Sequence, residues 1–296
     1  RFHRCLWWAV VVSDAMEDVR SMLLVNAVDA KMAMAQFDAR WEAILAALAQ
    51  GRWRPLAKAL DQAADALRVL PRKCALAAVP TISLTGEIFV RRDGLSRQHL
   101  TERLAAKGFA TRCAPVSEWV HYTHYLHRQG VTEKGQALSQ RMRIALKHVV
   151  MRHDEKRLRC CMAASELIPT RGADTRAAIK AGSTHVSPHL SGEAILTVGG
   201  SLHEIVTEVC GAIAIGPFGC MPNRISEAIL TEAMTREGKL AVSPQSASAA
   251  GLQPGEPLPF MAIESDGAAF PQATEARLEA FLLRAERLHE RMSAIR

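Results

Sequence analysis

Aromatic residues are scarce: Phe, Trp and Tyr together make up 5% of the 296 residues. No basic stretch is interleaved with them, so the chain lacks the stacking platforms that hold single-stranded nucleic acid, and no nucleic-acid partner is expected. The positive excess is mild, a net charge of +7, which at this length reads as solubility. Seven cysteines are too few for a disulfide-built scaffold. None forms a C-x-x-C pair, so no self-contained zinc or ferredoxin-type site is encoded. No apolar run reaches the roughly 18 residues of a membrane-spanning helix, and no membrane partner is expected. Walker A, dinucleotide-fingerprint and nucleophile-elbow sequences are all missing, which argues against P-loop binding of ATP. Internal repeats and low-complexity tracts are missing too.

What is present is a hydrophobic content of 49%, enough for a real core. The expectation is a soluble globular protein, cytoplasmic, with one large domain or two ordinary ones. The chain starts with Arg1 and runs at once into apolar residues, Leu6 to Val12. That run is short for a signal peptide, Asp14 ends it, and no small-residue cleavage site follows. A piece cut from a longer protein is the preferred reading. Residues 14 to 70 carry apolar positions at helical spacing, such as Met16, Val19, Leu23 and Leu24, then Trp41, Ile44, Leu45 and Leu48. Gly51, Pro55 and Pro71 punctuate them. Residues 1–78 are therefore expected to be a mostly helical segment, the remnant of an upstream domain and without a complete core of its own.

After Pro80 short β-prone runs alternate with helical stretches. Strands are expected at Ile82 to Leu84, Phe109 to Cys113, Ala212 to Ile215 and Pro259 to Ile263, with a weaker one near Thr184 to Val186. Helices are expected at about 96–107, 117–129, 134–160 and 223–236, and after Pro271; residues 240–257 read as a loop. Strands alternating with helices imply an α/β fold, a parallel sheet with crossover helices, over 79–296. In such sheets ligands bind beyond the carboxyl ends of the strands. The loops there are Thr85-Gly86-Glu87, Ala114-Pro115, Pro217 to Met221, and Glu264 to Gly267.

Cys220 is the strongest candidate for chemistry. It lies between a buried strand and a helix whose first turn holds Pro222, a favoured place for proline. Unpaired amides at the positive end of that helix favour a thiolate, the form that binds metal or attacks electrophiles. Gly219 lets the backbone come close to a bulky ligand. The alternative is a half-buried structural cysteine in a tight turn. The other six, Cys5, Cys74, Cys113, Cys160, Cys161 and Cys210, read as small core residues. His121, Tyr122, His124, Tyr125 and His127 form a cluster, read as polar packing because no carboxylate joins it at zincin spacing. Gly199, Gly200 and Ser201 resemble a helix start able to hold an anion. A dense basic stretch, Arg141, Arg143, Lys147, Arg152, Lys156, Arg157 and Arg159, shares its segment with Met142, Leu146, Val149 and Val150. It reads as a solvated helix face or as a docking surface for an acidic protein.

Several passages together resemble a known family: RCLWWAVVVSD (4–14), PTISLTGEIFVRRD (80–93), APVSEWVHY (114–122), SGEAILTVGG (191–200), GAIAIGPFGCMP (211–222) and LPFMAIESDGAAFPQATEARLEAF (258–281). They are similar, in order and over nearly the whole chain, to the terminal portion of proteins related to 2-hydroxyacyl-CoA dehydratases, above all the long fusions called CoA-substrate-specific enzyme activases. The resemblance implies an iron–sulfur protein of anaerobic metabolism. An ATP-hydrolysing activator, separate or fused, would supply electrons at low potential for radical dehydration of a 2-hydroxyacyl-CoA or for another reduction. It implies a [4Fe–4S] or related cluster held by cysteines of two α/β domains, the last of them in the turn matched by Cys220. The remaining ligands are then expected upstream of Arg1, and the piece alone is expected to be inactive. Cys210 departs from the family, where an acidic or other residue is expected. The activator is the implied partner, with acyl-CoA and a second copy of the chain as further candidates. Glu87 and Glu264 lie on neighbouring loops and are assigned no catalytic role. Two alternatives stand beside this: a non-catalytic CoA- or partner-binding domain with a structural Cys220, and an unrelated thiol enzyme, which would need a histidine near Cys220.

Overall fold

The structure, a computed structural model, describes residues 2–130, 138–190, 192–244 and 251–295. In chain order it runs α1 (Phe2–Asn26), α2 (Ala30–Ala49), α3 (Trp53–Arg68), β1 (Thr81–Gly86), α4 (Leu100–Ala106), β2 (Ala110–Cys113), α5 (Val116–Arg128) and α6 (Leu138–Ala163). It continues with α7 (Thr175–Gly182), α8 (Ala194–Glu204), β3 (Gly211–Pro217), α9 (Met221–Ala233), α10 (Arg236–Val242), β4 (Phe260–Ser265) and α11 (Gln272–Ile295). The fold is α/β, with one all-parallel four-stranded sheet in the order β2-β1-β3-β4. The chain divides into two compact units. One comprises residues 1–76 and 115–173; the other comprises 77–114 and 174–296.

The first unit is helical. The opening apolar run is the start of α1, which passes straight through Asp14. Trp7, Trp8, Val11, Val12, Met16, Val19 and Leu23 bury it on most sides. Asp14 is buried among them because its carboxylate accepts from the backbone amides of Val116 and Ser117, both at 2.9 Å. Those are first-turn donors of α5, whose N-cap, Pro115, provides no side-chain bond; Asp14 fills that need from another helix. Deeper still, Asp154 of α6 accepts from Arg4 Nε at 2.6 Å, Arg4 Nη2 at 2.7 Å and Trp8 Nε1 at 2.7 Å. The helices of residues 1–76 thus complete their core with α5 and α6, from much later in the chain.

The second unit is built on the sheet. All but the ends of β1 and β3 is buried, which matches the nearly continuous apolar runs of a strand covered on both faces. Helices α7 and α8 touch backbone to backbone. A Cβ on Gly199 would lie 1.8 Å from the Ala178 carbonyl oxygen, and one on Gly182 would lie 2.2 Å from that of Ile195. The C-terminal carbonyls of α8, Leu202 and His203, accept from the buried Lys239 ammonium at 3.1 and 2.7 Å. Burial pulls that ammonium down to about 8 against the pull of Glu204 and Glu208.

Several expectations are corrected. Residues 184–186 form turns after α7, not a strand. Gly199, Gly200 and Ser201 lie inside α8, so they are no helix start; Gly199 is there for contact with α7. The helix expected from Ser96 begins at Leu100, after Gln98 and His99, which both take positive φ. The helix expected over 223–236 is α9, followed by α10, which takes up the start of the expected loop over 240–257. Residues 245–250 of that loop, residues 134–137 of the expected helix 134–160 and the Arg141 side chain lie outside what is described. Among the described residues, no helix is long and apolar enough to cross a membrane.

Candidate functional site

The sheet order places a topological switch point between β1 and β3. The chain leaves β1 towards β2 on one side, then returns through α7 and α8 to β3 on the other. The loops leaving β1 and β3 diverge there, the usual ligand position in open α/β sheets. Gly86 ends β1 at φ +102°, where a Cβ would come within 2.2 Å of the Ile215 carbonyl oxygen. The next residue, Glu87, donates its backbone N–H to that same carbonyl at 2.9 Å. Its carboxylate turns back to accept from the amides of Phe89 and Val90 at 3.1 and 2.8 Å.

Cys220 stands on the other side of the switch point. After β3 the chain turns through Phe218 and Gly219, and Cys220 donates its backbone N–H to the Pro217 carbonyl at 3.0 Å. Cys220 is the N-cap residue of α9, with Pro222 in the first turn. Gly219 takes φ +75° and has open space around it, so its glycine serves the turn. The thiol is half-buried, while Phe218 and Met221 beside it are 79% and 62% exposed. The neighbourhood is acidic. Burial pushes the Cys220 thiol above its ordinary value, the backbone N–H of Asn223 draws it down, and Glu193, Glu87 and Glu264 push it up. The direction runs against the thiolate expected from the helix end alone, chiefly because the thiol is partly buried, with the three carboxylates adding to it. No histidine is among the groups that shift it.

Two residues of this rim escaped the sequence reading. Glu193 caps α8, and burial followed by the nearby Glu87 raises its carboxyl, with Arg91 pulling the other way. It reaches Cys220 because Gly192, at φ +106°, packs against Pro222. Asn223 is only 3% exposed, yet among the described residues neither its Nδ2 nor its Oδ1 has a hydrogen-bond partner. Its side chain lies over Gly216, where a Cβ would come within 2.9 Å of it. Its spacing of three from Cys220 on a helix start was the available signal. Glu264 accepts from the Gly219 amide at 3.3 Å and sits 3.5 Å from Arg224.

The other candidates fall elsewhere. Cys113 and Cys210 are buried core residues as expected, Cys210 pushed up to about 12, mainly by burial. Cys74 and Cys160 are exposed, and Cys5 and Cys161 half-buried, so the core reading fails for them. The histidine cluster packs between α5 and α6. His121 Nε2 meets Glu155 at 2.6 Å and His121 Nδ1 meets His148 Nε2 at 3.2 Å. Among the described residues, no group of three or more His, Cys, Asp or Glu is placed to hold a metal ion. The described residues of the rim offer a single thiol, Cys220, with the Asn223 amide beside it, and no complete ligand cage. Comparisons with family models, curated proteins and solved structures find no match.

Proposed function

We propose that this chain is part of an iron–sulfur protein related to the 2-hydroxyacyl-CoA dehydratases and CoA-substrate-specific enzyme activases, with Cys220 as one cluster ligand. Electrons reach it from an ATP-hydrolysing activator, and the product is either a dehydrated acyl-CoA, formed with no net change of oxidation state, or a reduced compound. The reading rests on the passages quoted above. The observation that carries it is the position of Cys220: half-exposed, at the switch point, beside an unpartnered buried carboxamide. The exposed Phe218 and Met221 support it further, since the other ligands must come from another segment that covers them.

When bound, such a cluster supplies one-electron transfer at low potential. The residues present have distinct tasks around it. Cys220 gives the thiolate. The backbone N–H of Asn223 already faces that sulfur, and its side-chain Nδ2–H is a second donor available to ligand sulfur. Such donors tune the potential of a cluster. Glu193, raised by burial, holds a proton more readily than a surface carboxyl does and limits the negative charge gathered at the rim. Ligation would require the Cys220 thiol to release its proton to solvent against the acidic surroundings, so ligation weakens as pH falls.

The test is anaerobic purification of the gene's full-length product, with iron and sulfide counted in the wild type and in Cys220→Ala. Loss of most of the iron and of the brown colour in the variant is expected. Unchanged iron overturns the assignment and favours the alternative, a CoA- or partner-binding domain in which Cys220 is structural.

A further inference from the structure

Helix α6 has two sides of opposite character. Its inward side buries Met151, Asp154, Leu158 and Met162. Its outward side presents Met142, Leu146 and Val149 to solvent, at 62%, 66% and 63% exposure. Their spacing of four and three residues puts them on one stripe, and Val150 borders it, 38% exposed. Three large apolar side chains in a row are unusual on a solvated helix, whose apolar residues normally turn to the core.

The charge on that helix is sorted as strictly. Both carboxylates between residues 138 and 157 are bound within the helical unit, Asp154 by Arg4 and Trp8, Glu155 by His121. Arg143 and Lys147 are exposed on one flank of the stripe, Arg152 and Lys156 on the other. The outward face is thus apolar along its centre and cationic along both edges, with no anion of its own helix to balance it.

We infer that this face of α6 docks an acidic amphipathic helix of another protein, with apolar residues against Met142, Leu146 and Val149 and carboxylates against the flanking cations. A second copy of this chain is a poor occupant, because it would set the same cations against each other. An anionic membrane is disfavoured because the stripe carries no Trp or Phe to anchor in an interface. Nucleic acid is disfavoured because the apolar stripe separates the two rows of cations and offers no aromatic face. Helix-in-groove recognition uses this i, i+4, i+7 spacing of anchors.

The experiment is a fluorescence-anisotropy titration of the intact protein. The probe is a labelled helical peptide of about 20 residues, with Leu at three- and four-residue spacing and Glu on both flanks. Saturable binding is expected, weakened about tenfold or more by Leu146→Asp, since a central apolar anchor is lost. Lys147→Glu is expected to weaken it less, and added salt to weaken it progressively. Both sites are exposed, and unchanged circular dichroism checks that each variant is folded. The inference is overturned by any of four results: no saturable binding, binding indifferent to Leu146→Asp, equal binding of a peptide with Lys in place of Glu, or Leu146-dependent binding that is tighter to phosphatidylserine vesicles or duplex DNA. A dimer in sedimentation velocity that Leu146→Asp dissolves also overturns it, because the face then belongs to a second copy.

Discussion

Asp154 in the helical unit and Asn223 in the sheet unit lie at nearly the same depth, 0% and 3% exposed. Asp154 accepts three hydrogen bonds, from both donor arms of Arg4 and from the Trp8 indole. Among the described residues, the carboxamide of Asn223 has no partner at either atom. A buried polar group left unpaired costs about 1–3 kcal/mol, so a fold keeps few of them, and each needs a reason. Depth alone does not separate the two residues; satisfaction does. Asp154 holds architecture together, whereas Asn223 lies beside Cys220 with bonds that the ligand proposed for that rim could complete.

The largest effect should come from the satisfied partner. Asp154→Ala strands the Trp8 N–H inside the unit and frees Arg4, whose side chain is half-exposed. A loss of about 3 kcal/mol is expected, the low end for breaking a buried ion pair because one partner reaches water. Urea unfolding read by tryptophan fluorescence measures it. A loss below about 1 kcal/mol would place Asp154 with ordinary surface pairs and end the contrast.

A smaller effect in the same unit follows from pH. Burial first, then His121, His124, Arg152 and Arg128, lower the His148 imidazole from 6.5 to about 4. The unfolded chain therefore takes up this proton more readily than the folded one. Stability from this source is complete above pH 6.5 and is lost as pH falls towards 4. His124, lowered chiefly by burial, acts in the same direction. His148 stays partly exposed, so solvent screening trims the loss to about 1 kcal/mol. Comparing unfolding of wild type and His148→Gln at pH 7 and pH 5 isolates it; equal slopes with pH in both proteins would contradict this account.

The parts of the molecule readable in the sequence are those whose signal is local. The four main strands were found within two residues of their ends, because strands buried on both faces leave short apolar runs between turn residues. Cys220 was found because a strand, a Gly-Pro turn and a helix start are neighbours in the chain. What was missed depends on distant contacts. Residues 115–173 belong with the first 76 because Asp14 caps α5 and Asp154 holds α1, and neither bond leaves a trace in spacing. Gly199 and Gly200 read as a helix start, since the purpose of Gly199, backbone contact with α7, is visible only once both helices are packed. Glu193 was passed over for a similar reason. It acts on Cys220 from a helix N-cap position, not from a strand end, and its charge adds to the upward shift that burial gives the thiol.

The sharpest version of the comparison is also the smallest effect. If Asn223 is unsatisfied in the folded chain, truncating it removes an uncompensated desolvation cost along with some packing over Gly216. These terms oppose each other, and Asn223→Ala is expected to change stability by no more than about 0.5 kcal/mol. That is far below the loss predicted for Asp154→Ala, at equal depth and with fewer atoms removed than most core truncations. The same urea titration decides it. A loss near 2 kcal/mol would mean that Asn223 has a partner within the fold. It would then rank with Asp154 as architecture, and the proposed ligand site beside Cys220 would lose its unpartnered group.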